Sequence, residues 1–411
     1  MKKVRMLSLL ALGAASIGGL VGCNGGKKAA DVTVGLICLH GDYSTYDKNF
    51  IDAMKAAQKE LGFKLVIKED VPESAACYNT ASALVEQGCN VIFADSFGHE
   101  AHMIKAAKEN PNVLFCHATG TTGAAENLSN FGDAFASIYE GRYLAGIAGG
   151  LKLAELYGNG DGTKVSAENA KVGYVGAFTY AEIISGYTSF FLGVRSVVPA
   201  ATMEVKFTAS WYHETRENTI ANELIDRGAK LISQHADSHG APTACQAKSI
   251  PNVSYNGSTL EDGPDTYLIN SRINWESYYK HVILNYKEAK DAGNKPTVEN
   301  DFTGTLKDGS VEIDAASKNC AAGTQAKLDE VKAELVAGTR HVFDVNTFTV
   351  GGATPNEENC RPGAATWAGL GADVKFLTGG FYHESEFRSA PSFDVEIDGI
   401  TLLNRAYDPI D

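Results

Sequence analysis

The chain has 411 residues, of which 44% are hydrophobic and 21% charged, a composition typical of globular proteins. Because a single hydrophobic core seldom serves more than about 250–300 residues, this length predicts two domains. The formal net charge of −14 argues against nucleic acid as a partner, since a surface that binds phosphates must be basic.

The N-terminus has the pattern of a secretory signal. Three basic residues precede an apolar stretch over 6–20, which is too short for a comfortable membrane span. It ends in Leu20-Val21-Gly22-Cys23, which resembles the bacterial lipobox and implies cleavage before Cys23 and lipidation of that cysteine. We expect a signal peptide over 1–22 and a lipidated, flexible tether over 23–31, on the extracellular or periplasmic side of a cell membrane. The alternative is an ordinary signal peptide with an incidental cysteine.

The first folded unit is predicted between Val32 and Gly62. An apolar run over 32–39 predicts a strand buried on both faces, and apolar residues at helical spacing over 50–61 predict a helix that Gly62 ends. The loop between them, 41–47, is rich in turn formers and polar side chains. Ligands of open α/β sheets bind at the carboxyl ends of the strands, so this loop is predicted to form half of a binding site.

The same strand, loop and helix pattern recurs in two rounds along the chain. Such alternation with short connections predicts an α/β protein with two doubly wound parallel-sheet lobes joined by crossing strands. Crossing segments are expected at 127–132 and 267–273, and short strands over 301–313 are expected to return to the second lobe. The predicted N-terminal lobe comprises 32–132 plus 271–300, and the C-terminal lobe 133–270 plus 301–411.

Aromatic, carboxylate and amide side chains collect at the predicted strand ends and at the second crossing. A flat heteroaromatic ligand would stack on such rings, and a carboxylate would accept hydrogen bonds from its N–H groups. Two of the candidates, Trp211 and Trp275, fit a core position equally well. The predicted ligand-binding residues are Tyr46, Asp47, Phe50, Ser96, Phe97, Phe178, Trp211, His235, Asp237, Asn274 and Trp275.

Motifs of enzymes and metal sites are missing from the sequence. It contains no GxSxG elbow, P-loop, GxGxxG after a strand or HExxH, so we predict a protein that is not an enzyme and needs no cofactor. No cysteine pair has the spacing of a metal site. Outside the cytoplasm disulfides are permitted, and Cys320 with Cys360, in polar surroundings, is the first candidate pair. Cys77 with Cys89 is the second.

Several motifs occur in the order found in the basic membrane protein (BMP) family of bacterial lipoproteins, which the chain resembles over about 32–345. The resemblance implies a type I periplasmic-binding-protein-like fold and the role of substrate-binding component of an ABC importer. It also implies a purine base or purine nucleoside as the ligand and a membrane permease as the partner. The motifs are Ser96-Phe97-Gly98, His117–Gly120, Ile138–Gly146, Ile184–Gly193, Asn218–Gly228 and Gln234–Ser238.

The resemblance further implies roles for individual residues. Tyr46 falls where the family has a base-stacking aromatic residue, and Trp211 and Asp237 match the tryptophan and the purine-facing aspartate of adenine-type members. The loop around Asp47 follows neither the adenine-type nor the nucleoside-type pattern, so base and nucleoside remain alternatives. A ligand-sensing receptor or surface lipoprotein of the same fold, with a different small polar ligand, is the other alternative.

Overall fold

The structure is a computed structural model that describes residues 28–367 and 373–405. The predicted signal peptide and the predicted lipidation site, Cys23, lie outside these ranges. Within them, no helix combines the length and the apolar character needed to cross a bilayer.

The first lobe is built on a sheet of six parallel strands. Its spatial order is β11 (Asp301–Gly304), β5 (Phe131–Ala136), β4 (Leu114–Ala118), β3 (Val91–Ala94), β1 (Thr33–Ile37) and β2 (Lys64–Lys68). The helices of this lobe are α1 (Thr45–Leu61), α2 (Ala75–Glu86), α3 (Glu100–Glu109) and the short α4 (Gly123–Glu126).

The second lobe is built on a sheet of seven strands, parallel except for its first pair. Its order is β12 (Val311–Ile313), β10 (Tyr267–Ile273), β9 (Asn252–Tyr255), β8 (Leu231–Gln234), β6 (Lys171–Gly176), β7 (Thr202–Phe207) and β15 (Ile400–Leu402). Its helices are α5 (Ile138–Gly158), α6 (Ala181–Val197), α7 (Glu214–Asp226) and α8 (Gly240–Lys248). The remaining elements are α9 (Trp275–Asp291), α10 (Thr324–Val336), α11 (Ala364–Trp367), β13 (Leu377–Thr378) and β14 (Phe381–Tyr382).

Strands β1 to β4 and the first helix of the first lobe form where the sequence predicts them, and local sequence explains why. Strands β3 and β4 are buried along their whole length, which is why they consist of apolar runs without alternation. Helix α1 begins where the side chain of Ser44 accepts a hydrogen bond from the backbone N–H of Asp47. It ends at Gly62, whose φ of 79° is the left-handed conformation that glycine adopts without strain.

Three predictions about the crossing segments are wrong. Strand Tyr267–Ile273 pairs in parallel with β9 and stays in the second sheet, and the chain crosses afterwards through α9, which packs on α1. Strand Asp301–Gly304 pairs with β5 in the first sheet, whereas Val311–Ile313 joins the second sheet as predicted. The crossing predicted at 127–132 is also wrong, because β5, which covers Phe131–Ala136, lies inside the first sheet and the chain crosses after it through α5. The strands over 301–313 are only three and four residues long and partly exposed, so they carry little pattern that distinguishes one sheet edge from another.

The predicted disulfides are not formed. All seven cysteines of the described ranges are free, including the pairs Cys320 with Cys360 and Cys77 with Cys89. The thiol of Cys320 donates to the carbonyl of Leu268 at 3.2 Å, which holds it against β10. Cys360, in contrast, is buried within the apolar core. Polar neighbours in the sequence are therefore a poor guide to pairing.

Helices α5 and α6 approach each other backbone to backbone, as the small residues of α5 predict. A Cβ atom on Gly146 would lie 2.0 Å from the carbonyl oxygen of Phe190. A Cβ atom on Gly193 would lie 2.1 Å from the carbonyl oxygen of Tyr143. Real Cβ atoms do not approach so closely, so only glycine permits this packing at the two positions.

We expect Gly146→Ala to lower the free energy of unfolding by about 1–3 kcal/mol, because the helices must move apart to admit the methyl group. Leu156→Ala on the same helix is the matched control, since Leu156 is 47% exposed and its change should stay within about 0.5 kcal/mol. Chemical denaturation with urea measures both variants. Equal stability of Gly146→Ala and the wild type would show that the helices are not packed this closely.

Candidate functional site

A cavity lies between the carboxyl ends of the strands of the two lobes, and we call it the cleft cavity. The space between its side chains is about 340 Å³, including a part open to solvent. The first lobe contributes Leu39, His40, Tyr46, Asp47, Ser96, Phe97 and Thr119, and the second contributes Glu182, Trp211, His235 and Asp237.

The structure brings seven of the eleven predicted binding residues together around this cavity. Each lies in the loop that follows a parallel strand or in the first turn of the helix after that loop. They are Tyr46, Asp47, Ser96, Phe97, Trp211, His235 and Asp237.

The other four predicted residues do not line the cleft cavity. Phe50 and Trp275 are 2% and 3% exposed and stack on each other at 4.4 Å between ring centroids, where α1 meets α9. Asn274 accepts a hydrogen bond from the backbone of Glu276 and so begins α9. Phe178 lies behind the cavity wall and contacts Trp211 edge to face at 4.9 Å.

Four lining residues were not among the predicted ones: Leu39, His40, Thr119 and Glu182. Leu39, His40 and Thr119 come directly after the ends of β1 and β4, so the rule that ligands bind at strand ends could have found them. Glu182 lies in the first turn of α6, and no feature of the local sequence distinguishes it from an ordinary solvated helix residue.

The two lobes contact each other around the cavity. The backbone N–H and the hydroxyl of Thr45 both donate to the carbonyl oxygen of Asp237, at 3.0 and 3.1 Å. Phe97 of the first lobe stacks on Tyr180 of the second at 5.1 Å between ring centroids. Tyr43 and Tyr212 make an edge-to-face contact at 5.3 Å. These contacts describe a closed arrangement of the lobes.

Asp47 holds its charge within this site. Its carboxylate accepts hydrogen bonds from the backbone N–H of His40 at 2.8 Å and from the hydroxyl of Ser44 at 2.6 Å. Burial raises the pKa of Asp47, but the hydrogen bonds from His40 and Ser44 outweigh it, and the pKa is lowered. Asp47 is thus an ionised residue that also orders the loop before α1.

Asp95 lies behind Asp47 and has the opposite tendency. One carboxyl oxygen accepts from the backbone N–H of Leu39 at 3.1 Å, and the other is buried without a hydrogen-bond partner in the described chain. Burial, followed by the negative charge of Asp47, raises the pKa of Asp95 well above its ordinary range. One buried carboxyl of the pair therefore favours the protonated state.

Cys38, Asp47 and Asp95 also place three potential metal-ligand atoms within 4.8 Å of one another. Burial raises the pKa of the Cys38 thiol well above its ordinary range, as it does for Asp95. Metal ligands must be deprotonated, so two protonated groups beside one hydrogen-bonded carboxylate make a poor site for an ion. The chemistry of this group fits a buried pair of one ionised carboxylate, Asp47, and one protonated carboxyl, Asp95, better.

Asp237 presents its carboxylate to the cavity. It is 4% exposed, and within the described ranges its hydrogen bonds run through its backbone, with the N–H donating to the carbonyl of Trp211. Burial, then the charges of Asp47, Glu217, Glu182 and Asp95, raises the pKa of Asp237 well above its ordinary range. A ligand that donates N–H groups to this carboxylate would offset that cost.

His235 is positioned to remain neutral beside the cavity. It is 2% exposed and packs on the ring of Tyr255 at 4.4 Å between centroids. Its Nε2 lies 3.4 Å from a carboxylate oxygen of Glu182 and its Nδ1 3.4 Å from the hydroxyl of Tyr174. Burial lowers the pKa of His235 despite Glu182, so the imidazole adds no positive charge to the site.

Two α/β lobes that close on a small cavity of aromatic and carboxylate side chains define a bilobed solute-binding protein of the type I periplasmic-binding-protein fold. A solved ABC transporter solute-binding protein from Aeropyrum pernix K1 superposes with a TM-score of 0.62 over 80% of this chain and 94% of its own. At 16% identity this likeness concerns the fold alone.

The chain belongs to the Bmp family, whose family model is described as ABC transporter substrate-binding protein PnrA-like and matches residues 40–342. This confirms the family resemblance read from the sequence motifs. The family comprises substrate-binding proteins and not enzymes, in agreement with the sequence prediction.

Two relatives carry names that state a ligand. A purine-binding protein of Brucella abortus is 31% identical over 242 residues, which are 58% of this chain and 63% of that protein. A protein of Haloferax volcanii, provisionally named as an ABC transporter glucose-binding protein, is 32% identical over 199 residues, 48% of this chain and 46% of that protein. The chain therefore spans less than two thirds of the length of either relative.

We expect Asp95→Asn to raise the melting temperature at pH 7. The raised pKa of Asp95 means that its folded state loses stability as the pH rises above the unfolded value of about 4. An asparagine oxygen can still accept from the N–H of Leu39. Scanning calorimetry between pH 4 and pH 8 should show a gain that shrinks as the pH falls.

Asp47→Asn is the matched variant with the opposite sign. Because the pKa of Asp47 is lowered, its ionised form stabilises the fold above the unfolded pKa, and that stability is lost only as the pH falls through the folded pKa. The substitution should lower the melting temperature throughout pH 4–8. If the melting temperatures of both variants shifted in the same direction at pH 7, Asp95 would not be protonated beside an ionised Asp47.

Proposed function

We propose that this protein is the substrate-binding component of an ABC importer and that it holds a purine base or purine nucleoside in the cleft cavity. In this proposal Cys23 carries the lipid anchor, the folded part lies outside the cytoplasm, and the closed form delivers its ligand to a membrane permease. The observation that carries the proposal is the buried carboxylate of Asp237, without a side-chain partner in the described chain and placed among aromatic rings.

Three aromatic side chains line the cavity and suit a flat ligand. They are Tyr46 and Phe97 from the first lobe and Trp211 from the second. Stacking on such rings contributes about 0.5–1.5 kcal/mol per ring beyond the burial of area. The hydroxyl of Tyr46 donates to the carbonyl of Asp95 at 2.7 Å, which holds its ring in place without using a ligand. Rings held in this way lose little entropy when the ligand binds.

The charges around the cavity favour a ligand that donates hydrogen bonds. Asp47, Glu182 and Asp237 line it, and none of the eleven lining residues is lysine or arginine. Purine ring N–H and exocyclic amino groups are suitable donors, whereas a phosphate would meet carboxylates without a compensating cation. This supports an uncharged base or nucleoside over a nucleotide.

A sugar is the alternative that a specific observation favours, because one relative is named for glucose. Sugars also stack on aromatic rings and donate hydrogen bonds to carboxylates. The purine is preferred because the relative with the longer match is named for purines and because ring N–H groups are donors that suit the carboxylate of Asp237.

Binding is expected to favour the closed arrangement of the lobes. The Thr45 hydrogen bonds to Asp237 join the lobes beside the ligand, and Phe97 with Tyr180 joins them at another side. A ligand that contacts both lobes stabilises this state relative to an open one, and the closed surface is what a permease would recognise.

A thermal-shift screen of the folded part tests the ligand class. Nucleobases, nucleosides, nucleotides, glucose and amino acids are each supplied at a saturating concentration. A ligand at about 100 times its dissociation constant stabilises the fold by about 2.7 kcal/mol, so a purine should raise the melting temperature by several degrees. A shift with glucose and none with purines would replace the purine by a sugar while the transport role stands.

Asp237→Asn should weaken binding of the purine about 10- to 100-fold, because a charge-assisted hydrogen bond is worth about 1.5–3 kcal/mol. In the wild type, affinity should increase with pH as the Asp237 carboxyl ionises from its raised pKa, and this dependence should flatten in the variant. Calorimetric titration between pH 5.5 and pH 8.5 measures both effects.

The control is Asp226→Asn in the same lobe, whose carboxylate is 70% exposed and distant from the lining residues. It should bind as the wild type does at each pH. If Asp237→Asn binds with unchanged affinity and the same pH dependence, its carboxylate does not contact the ligand.

A further inference from the structure

The beginning of α1 contacts the second lobe at two positions. Thr45 reaches the loop after β8 through its two hydrogen bonds to the carbonyl oxygen of Asp237. One helical turn further along, the side-chain amide of Asn49 donates to the carbonyl oxygen of Ile273 at 2.8 Å. Ile273 ends β10, directly before the chain crosses to α9. Asn49 therefore holds α1 beside the crossing point, and Thr45 joins it to a loop two strands away in the second sheet.

Gly257 makes a third approach to this helix. It follows β9, which lies between β8 and β10 in the second sheet. A Cβ atom on Gly257 would lie 3.1 Å from the Cβ atom of Thr45 and 3.3 Å from its Cγ2 atom. Non-bonded carbon atoms are most favourably placed at about 3.5–4.0 Å, so even a methyl group at this position would press on the opposite lobe.

The local backbone does not itself require glycine at this position. The φ angle of Gly257 lies outside the left-handed region, so other residues could adopt the same conformation. The residue before it, Asn256, has a φ of 61° and is not glycine. The close approach of Thr45 is therefore the physical reason for a residue without a side chain here.

Both sides of the contact are held within their own lobes. The backbone N–H of Asn256 donates to the carbonyl oxygen of Ser271 in β10 at 2.9 Å, and that of Gly257 donates to the carbonyl oxygen of Tyr255 at 2.7 Å. On the other side, Thr45 is the first residue of α1 and is 7% exposed. A side chain at position 257 would therefore be accommodated by separation of the lobes and not by a local adjustment.

The same contact decides how the two halves of the cleft cavity meet. Tyr46 and Asp47, which follow Thr45 in α1, line the cavity from the first lobe, and Asp237 lines it from the second. Gly257 is not a lining residue, so a side chain there would add no atom to the cavity wall. Its effect on a ligand would arise because Tyr46 and Asp47 are held away from the opposite wall.

We propose that Gly257 is a positioning residue of the ligand site. Its missing side chain lets Thr45 dock on the second lobe, which brings Tyr46 and Asp47 to a ligand held at Asp237. A larger residue at position 257 leaves the ligand with the contacts of one lobe. The effect on affinity rests on the proposed function, whereas the contact between the lobes does not depend on which ligand binds.

Calorimetric titration with adenine and adenosine tests Gly257→Val and Gly257→Ala. Gly257→Val should weaken the binding that the wild type shows by about tenfold or more, and Gly257→Ala should weaken it less. The melting temperature without ligand should stay within about 2 °C of the wild type, because the open lobes have room for the side chain. Glu261→Val, at an exposed position of the same segment, is the matched control and should change neither property.

A cross-link provides a test that needs no ligand. Disulfides join Cβ atoms about 3.5–4.5 Å apart, slightly more than the 3.1 Å found here, so Thr45→Cys combined with Gly257→Cys should form a disulfide when oxidised glutathione is added. Neither single variant should form it. In small-angle X-ray scattering, the cross-linked protein should have a smaller radius of gyration than Gly257→Val, both without and with adenine.

The outcomes separate the role of Gly257 from the proposed function. Unchanged affinity in Gly257→Val, or equal radii of gyration for Gly257→Val and the cross-linked protein, would overturn the positioning role and leave the proposed function standing. A lower melting temperature without ligand, or a double cysteine variant that forms no disulfide, would also overturn it. If the wild type binds neither adenine nor adenosine, the proposed ligand fails, and the cross-link and the scattering still decide the role of Gly257.

Discussion

In the proposed function, Asp237 is the residue on which both closure of the lobes and recognition of the ligand depend. Its carbonyl oxygen accepts two hydrogen bonds from Thr45 of the opposite lobe, while its carboxylate faces the cleft cavity without a partner in the described chain. The backbone contact fixes the carboxylate in place when the lobes close. A ligand that pairs with the carboxylate therefore also stabilises the contact between the lobes. Ligand binding and closure of the lobes are thus thermodynamically coupled.

The carboxyl groups near the cleft cavity differ in how strongly burial and neighbouring charges oppose their ionisation. Asp47 receives hydrogen bonds from its own loop and stays ionised, whereas Asp95 behind it and Asp237 opposite have raised pKa values because of burial and of their neighbours' charges. Without cations among the lining residues, the closed empty cavity is costly. This cost favours the open arrangement of the lobes when no ligand is bound. The hydrogen-bond donors of a ligand offset the cost of closing the cavity.

Hydrophobic periodicity and strand order were sufficient to predict the two sheets and most of the cleft. The alternating pattern identified both parallel sheets, and the strand-end rule found seven cavity residues, among them Tyr46 and Trp211. It could not separate Phe50 and Trp275 from ligand-facing rings, because their burial depends on how α9 packs on α1. Glu182 was missed because it lies in the first turn of a helix and lines the cavity only when the first lobe closes against that helix. Strand Asp301–Gly304 was assigned to the wrong sheet for a similar reason, because tertiary contacts decide which sheet so short a strand joins.

The described parts of residues 343–405, a C-terminal extension beyond the region that the family model matches, contact both lobes. Its strand β15 covers the edge strand β7, and Arg195 of α6 donates to the carbonyl of Asp398, so the extension is part of the second lobe's fold. Because it is anchored there and reaches Asp301 in the first sheet, it has to accommodate the same closure that brings Thr45 to Asp237.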